Sequence, residues 1–575
     1  MYEHRQKLLC TYPSCREGST SPSSHKPPRP PTQGTGRALS MHSPEKLPFP
    51  DGASSAAVPR GPTRGRPAAG TWSMRCILTL TIIAAVKRLS TGVSASDTVS
   101  PIEWEACPSR YPSHLDCARL AVPLDHNCRR SNRQRIRLGM VRAKATASKP
   151  LGNLVLNPGG PGSSIVEIFV KGRQDEVVGP ELLHHYNVIA PDPRGVGISS
   201  PIQCNASDYN RRVPSYMASQ ADLEARVAWN RALGESCAAM TGPLLQHVDT
   251  VSVAKDLDYI RKALGDEKLN FMGISYGTQL GSQYAELYPD RVGKMVLDGV
   301  LDHSQNSIDS LMTEAVSYED SLKGFFQWCN TTTDCAFHGQ DLSSIFDKLV
   351  DGANEKSIPA PGCLSPGDAI KTGGVACASE VTGYELIANA QDDISQSSLW
   401  ISLSKSLREA REGNATRLSS RLATDDTSFG FAPFSHTAIS CLDWKDQAQP
   451  GAGKSLMARL MAARVLTPHT RGLSETLDIQ TSCIGWPAPA RNPPRRLSRE
   501  RLARAPPILL VSAFHDPSTS VTWALGLREQ MPTAVNIFRD GFGHTSYWDY
   551  GDTQKAIDSF FINGDMPADL AVFKT

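Results

Sequence analysis

Among the side chains able to do covalent chemistry, one serine stands in a setting that would activate it. Asn270-Phe271-Met272-Gly273-Ile274-Ser275-Tyr276-Gly277 reads as an apolar strand running into Gly-x-Ser-x-Gly and then into a helix. Small residues two before and two after the serine let strand and helix approach closely. The turn between them strains the serine and leaves its hydroxyl exposed at a helix N-terminus. As a bare pattern Gly-x-Ser-x-Gly arises by chance in many chains, and the flanking strand and helix give it its weight. A serine hydroxyl is a poor nucleophile until a base takes its proton and an acid holds that base in the right tautomer. Downstream, the run Ile508–Ala513 leads into Phe514-His515-Asp516-Pro517, and the run Ala534–Phe538 leads into Gly541-Phe542-Gly543-His544. The pattern predicts Ser275 as nucleophile, Asp516 as acid and His544 as base, each just past the carboxyl end of a strand. Asp298 and Asp302 also follow a strand and are the reserve acids, while His515 is expected to point away from the site.

A tetrahedral intermediate needs N–H donors aimed at its oxyanion. The backbone of Tyr276, next after the serine, is one candidate. The loop Asn157-Pro158-Gly159-Gly160-Pro161-Gly162-Ser163-Ser164, after an early strand, offers the other, and Gly160 is the expected donor. This loop lacks the spacing and the lysine of a phosphate-binding loop. Asp192-Pro193-Arg194-Gly195-Val196-Gly197 reads as a packed turn supporting the site, with Asp192 and Arg194 expected to pair beneath the oxyanion loop.

The elements that must position these residues alternate between strand and helix. Apolar, β-rich runs fall at 135–143, 153–156, 186–190, 269–272, 294–297, 507–513 and 534–538, several of them continuous rather than alternating, as in strands covered on both faces. Residues 253–264 and 278–288 carry apolar side chains at helical spacing. The class is therefore α/β, a mostly parallel sheet with helices on both sides. The alternation breaks after Asp298-Gly299-Val300, and residues 303–505 read as a helical insertion over the strand ends. The core is then expected in two parts, 96–302 and 506–575. The Arg-rich stretch 491–504 reads as a solvated loop.

Composition sets the surroundings. Hydrophobic residues make up 40% of the chain and charged residues 21%, as in a globular protein. No run reaches the roughly 18 apolar residues of a membrane span. The net charge of +2 sums two unlike regions, because residues 1–95 hold 13 Lys and Arg against 4 Asp and Glu and the remainder carries −7. An acidic body argues against nucleic acid as a partner. Residues 1–73 are rich in Pro, Ser, Gly and Arg, too apolar-poor to order themselves, and read as a disordered or mis-annotated extension. Residues 74–95 follow the order of a signal peptide: Met74-Arg75-Cys76, the apolar run Ile77–Val86, and Val93-Ser94-Ala95, with Lys87 and Arg88 intervening. Secretion fits the eleven cysteines beyond Ala95, none of them in a CxxC metal pair, and the N-glycosylation sequons at Asn205, Asn330 and Asn414. Proximity pairs Cys107–Cys117, Cys204–Cys237, Cys329–Cys335, Cys363–Cys377 and Cys441–Cys483, and leaves Cys128 over.

Taken together, Trp104-Glu105-Ala106-Cys107, Cys117–Asp125, NPGGPG at 157–162, DPRGVG at 192–197, GISYG at 273–277, Ala438–Asp443, Cys483-Ile484-Gly485-Trp486-Pro487, Asp516 and GFGH at 541–544 resemble the tripeptidyl-aminopeptidase and proline-iminopeptidase branch of the α/β-hydrolases, with a TAP-like C-terminal part. The resemblance covers about residues 100 to 550. It implies hydrolysis of peptides from a free N-terminus through an acyl-enzyme on Ser275, with no metal or organic cofactor. Such an enzyme binds the substrate ammonium with buried carboxylates from the lid, for which Asp443 is the candidate. The chain departs from the family at Ser520, where relatives have proline, and at Ser163 and Ser164, where they have more glycine; both changes bear on specificity. Two other functions share this fold: an esterase with the same triad, and a binding module with no activity. The complete set of catalytic residues argues against the second.

Overall fold

The computed structural model describes residues 99–127, 134–214, 216–424, 430–444 and 452–574. The expected extension and signal segment, and Cys128, lie outside them.

Twelve strands are described: β1 (Glu105–Ala106), β2 (Leu115–Pro123), β3 (Arg135–Ala143), β4 (Asn153–Asn157), β5 (Asn187–Pro191), β6 (Leu269–Ile274), β7 (Val292–Asp298), β8 (Ile358–Pro359), β9 (Glu380–Val381), β10 (Leu509–His515), β11 (Val535–Phe542) and β12 (Val572–Lys574). All but β8 and β9 form one sheet in the order β1-β2-β3-β5-β4-β6-β7-β10-β11-β12. From β5 to β12 every pairing is parallel, and β1, β2 and β3 add an antiparallel edge. Parallel neighbours bring their carboxyl ends to one edge, so β6, β10 and β11 deliver Ser275, Asp516 and His544 to the same side. This is the α/β-hydrolase sheet that the motifs predict.

The central strands are apolar throughout because both faces are covered. Leu154, Leu156, Met272, Ile274, Leu509 and Val511 enter one core, and Val155, Phe271 and Leu510 the other. Side chains alternate across a strand, so adjacent residues feed opposite layers.

Between β7 and β10 the chain builds an insertion with a core of its own, including Leu311, Phe325, Phe346, Leu386, Leu403 and Leu460. It closes over the glycine-rich loop 157–164. A side chain at Gly162 would fall 2.7 Å from the His436 backbone nitrogen and 2.9 Å from the Ala432 carbonyl, both in the helix Ala432–Asp443 of the insertion. Ser435 Oγ donates to the Gly195 carbonyl at 2.7 Å.

All five cysteine pairs expected from proximity are formed, including Cys441–Cys483, which ties the helix Ala432–Asp443 to the end of the helix Glu475–Ser482. The expected pairing of Asp192 with Arg194 is corrected. Asp192 accepts from Ser164 Oγ and from the Val166 and Ile198 N–H groups, between 2.9 and 3.1 Å, and braces the oxyanion loop. Arg194, fully buried, turns the other way to Asp256 at 2.6 and 2.7 Å and also donates to the carbonyls of Pro123, Leu124 and His247. The loop between them is a turn that sends adjacent polar side chains to opposite sides. Arg194 thereby fastens the antiparallel edge to the helix Thr250–Leu264. Replacing it with methionine strands the Asp256 carboxylate in the interior, so chemical denaturation is expected to show a loss of about 3–5 kcal/mol.

Candidate active site

Ser275 sits at φ 57° and ψ −124°, between β6 and the helix Tyr276–Leu287. The strain is imposed by packing: a side chain at Gly273 would lie 2.3 Å from the Gly277 carbonyl, and one at Gly277 would lie 2.8 Å from Asn157 Oδ1. Nothing larger than glycine fits at either place, which is the physical content of the motif. The Ser275 N–H donates to the Asp298 carbonyl at the end of β7, at 2.8 Å, and fixes the turn.

Asp516 follows β10 and His544 follows β11. His544 Nδ1 lies 2.9 and 3.0 Å from the two Asp516 carboxylate oxygens. The carboxylate also accepts from the N–H groups of Ser518, Thr519 and Thr545 and from Thr519 Oγ, at 2.8 to 3.0 Å. Burial works against its ionisation, yet His544 and these donors hold its pKa below the usual carboxylate value. For His544, burial favours the neutral ring, but the Asp516 charge overrides it and raises the pKa above 6.5. With Nδ1–H given to Asp516, Nε2 is left as the basic nitrogen. The loop carrying the ring is cradled by buried Arg539, which donates to the carbonyls of Phe542, Gly543 and Thr545. The ring reaches the Ser275 side of the sheet, since a side chain at Gly299, directly after β7, would lie 3.3 Å from His544 Cε1.

The oxyanion candidates, Gly160 and Tyr276, line one pocket together with Ser275. Tyr276 is the first residue of its helix, so its N–H has no intrahelical acceptor. Neither that N–H nor the one of Gly160 donates to a partner among the described residues. Two unspent donors beside a serine hydroxyl can accept negative charge that develops on a carbonyl oxygen.

The reserve acids have other employment. Asp298 accepts from the Ser546 and Tyr547 N–H groups at 2.9 and 2.8 Å, bracing the histidine loop. Asp302 binds Gln305 and Gln530. His515 turns away, as expected, to Asp320 at 2.7 Å and stacks on Phe542.

Asp443 is placed differently from its expected role. It is fully buried and does not line the pocket. Its oxygens accept from the Thr250 N–H at 3.1 Å, Thr250 Oγ, Asn492 Nδ2 at 3.0 Å and Gln279 Nε2 at 3.4 Å. Thr250 Oγ is in turn 2.5 Å from the Tyr276 hydroxyl. With the threonine proton given to Asp443, the tyrosine donates to the threonine, so Asp443 docks the insertion onto the nucleophile helix. The acids that do line the pocket are Glu314 and Glu475. Glu314, from the helix Ser307–Thr331, is buried and accepts from the Thr476 N–H at 2.5 Å. Burial, then the neighbouring Glu475, pushes its pKa up to about 8. Burial raises Glu475 as well. Neither glutamate has a local signal in the sequence. Leu301, Trp444, Ile479, Pro494 and Trp523 supply the apolar wall.

Comparison with known proteins agrees with this geometry. Residues 152–351 match the family described as alpha/beta hydrolase fold, and residues 468–572 the one described as TAP-like protein. Over 502 residues the chain is 30% identical to the serine protease Hip1 of Mycobacterium tuberculosis, covering 81% of this chain and 90% of that protein. The chain is a TAP-like α/β-hydrolase. This hydrolase is also 28% identical over 443 residues to the tripeptidyl aminopeptidase of Streptomyces lividans, covering 75% and 78% of the two chains. Its identity to carboxylesterase B of M. tuberculosis is 28% over 464 residues, covering 78% and 85%. It is a serine hydrolase. The TAP-like match takes in Glu475, Asp516 and His544 of the hydrolase.

Two outcomes follow for the purified hydrolase. Asp516→Asn leaves the ring without its tautomer-setting acceptor, and kcat is expected to fall on the order of ten-thousandfold with the melting temperature little changed. In the parent protein, kcat/KM is expected to fall as pH drops through a value above 6.5, where His544 becomes protonated and ceases to be a base.

Proposed function

We propose that this hydrolase is a secreted exopeptidase that cuts peptides near a free N-terminus through an acyl-enzyme on Ser275. His544 takes the serine proton as Ser275 attacks the scissile carbonyl, while Asp516 holds the ring and stabilises the imidazolium. The N–H groups of Gly160 and Tyr276 receive the oxyanion. His544 then gives its proton to the leaving amine, and a water repeats the sequence to free the acyl group.

The observation that carries the exopeptidase reading is the carboxyl pair Glu314 and Glu475 in the pocket that Ser275 lines. Two neighbouring carboxyls, that of Glu314 buried, cannot both ionise cheaply, so the empty site retains a proton. An ammonium group relieves the repulsion, displaces the proton and is held by charge-assisted hydrogen bonds. A neutral acyl ester offers nothing in exchange. The tripeptidyl aminopeptidase named above supports the same reading.

Secretion is supported by the signal-like segment 74–95 and by the five disulfides. The sequon asparagines 205, 330 and 414 are all exposed, as acceptors of glycan must be. No helix among the described residues is long and apolar enough to cross a membrane.

Ser275→Ala is expected to lower turnover on an aminoacyl aryl amide by at least roughly a thousandfold. Activity on short acyl esters alone, with none on aminoacyl or peptidyl amides, would overturn the peptidase reading in favour of an esterase. Glu314→Gln keeps the acceptor for Thr476 but loses the charge. It is expected to raise KM for free-amine substrates about tenfold or more while leaving N-acetylated ones unaffected. In the parent protein the same KM is expected to be higher at pH 6 than at pH 7, because burial and the neighbouring Glu475 keep the Glu314 carboxyl protonated and the substrate ammonium must displace that proton. In the variant this dependence flattens.

A further inference from the structure

The helix Glu475–Ser482 has two working faces. Glu475, Thr476, Ile479 and Gln480 line the catalytic pocket, whereas Asp478 and Ser482 line a second, larger cleft of about 750 Å³. The helix is therefore a partition, held at its far end by the Cys441–Cys483 disulfide. His436 lines the cleft while its Nδ1 lies 3.2 Å from the Pro161 carbonyl and its Nε2 3.9 Å from Glu475. Pro161 lines the catalytic pocket beside Gly160, so the two spaces meet at the oxyanion loop. A substrate held with its carbonyl at Gly160 would have this cleft as a neighbouring space.

The cleft carries both signs of charge, five arginines against the carboxylates of Glu385, Asp392, Asp393 and Asp478. Arg212, Arg226 and Arg417 are engaged by Glu385, Asp478 and Glu409. Arg211 and Arg421 also line it, are exposed, and form no ion pair among the described residues. The segments that carry them are tied together where Asn210 and Ala423 exchange two hydrogen bonds, Asn210 Nδ2 to the Ala423 carbonyl at 2.9 Å and the Ala423 N–H to Asn210 Oδ1 at 2.8 Å.

We propose that this cleft holds the leaving side of the peptide and that Arg211 and Arg421 take its terminal carboxylate, which makes the substrates short peptides with both ends free. The proposal rests on the exopeptidase reading. A guanidinium group suits a carboxylate because it presents a planar fork of donors.

The test is a series of peptides from two to eight residues, each made with a free carboxyl end and as the C-terminal amide. The acid-to-amide ratio of kcat/KM is expected to rise to about fivefold at the length that brings the carboxylate to the arginines, mostly through KM. Arg211→Ala/Arg421→Ala should flatten the peak, and Arg211→Glu/Arg421→Glu should invert it, with thermal melting confirming that both variants fold. A ratio that is flat at every length, or a peak that survives both variants, overturns the proposal. If the parent protein leaves aminoacyl aryl amides uncut, the exopeptidase reading itself fails.

Discussion

A carboxylate removed from water must be surrounded by donors or lose its charge, and Asp516 is the place where this fold meets that demand. Its side chain has no exposure, and it collects donors from two separate loops: Ser518 and Thr519 after β10, and His544 and Thr545 after β11. Because one anion gathers both loops, the strand ends cannot shift independently. The imidazole is fixed in direction by the same bonds that make the buried charge tolerable. Arg539 and Asp298 extend the arrangement outward, one from beneath the histidine loop and the other from the end of β7, where the Ser275 turn is also anchored. Stability and preorganisation have the same source here.

The insertion is joined to this centre by polar contacts at several points. The Ser395 carbonyl accepts the His544 N–H at 2.7 Å, Ser435 reaches Gly195, and Asp443 receives Thr250 and Asn492. A helical cap attached only by apolar surface would slide; one attached by satisfied, buried hydrogen bonds has a single register. That register sets where Glu314 and Glu475 stand relative to the nucleophile. It also makes the helix Glu475–Ser482 the divider between a narrow apolar pocket and an open charged cleft. The sheet edge thus supplies the candidate triad, and the insertion supplies the carboxyls of the pocket wall.

Much of this was legible in the sequence where local rules govern. Mostly apolar runs mark β4 to β7, β10 and β11, because strands buried on both faces need no polar side, whereas β3 shows through the alternation of arginine with apolar residues at its start. The steric demand of a tight strand-to-helix turn made Ser275 readable, and short separations in sequence gave all five disulfides. β2 escapes the pattern because small and charged residues, Asp116, Ala118 and Arg119 among them, break its apolar run near an edge of the sheet. β12 leaves no pattern because it is three residues long and largely exposed. Contacts made across the fold left no local trace. Arg194 reaches Asp256 rather than nearby Asp192, and Glu314 and Glu475 meet from helices far apart in the chain. Asp443 had a polar neighbourhood that pattern alone could not distinguish from an opening onto substrate. Thr519 had a signal, its spacing of three from Asp516, which suits a hydroxyl that caps the carboxylate.

The central claim is that Ser275 is made nucleophilic by His544, which Asp516 orients. Labelling of the purified protein with a fluorophosphonate, followed by mass mapping of the adduct, tests it most directly. The account predicts a single adduct on Ser275 and its near disappearance in His544→Ala. An adduct on another serine, or labelling of Ser275 at an undiminished rate without the imidazole, would contradict it.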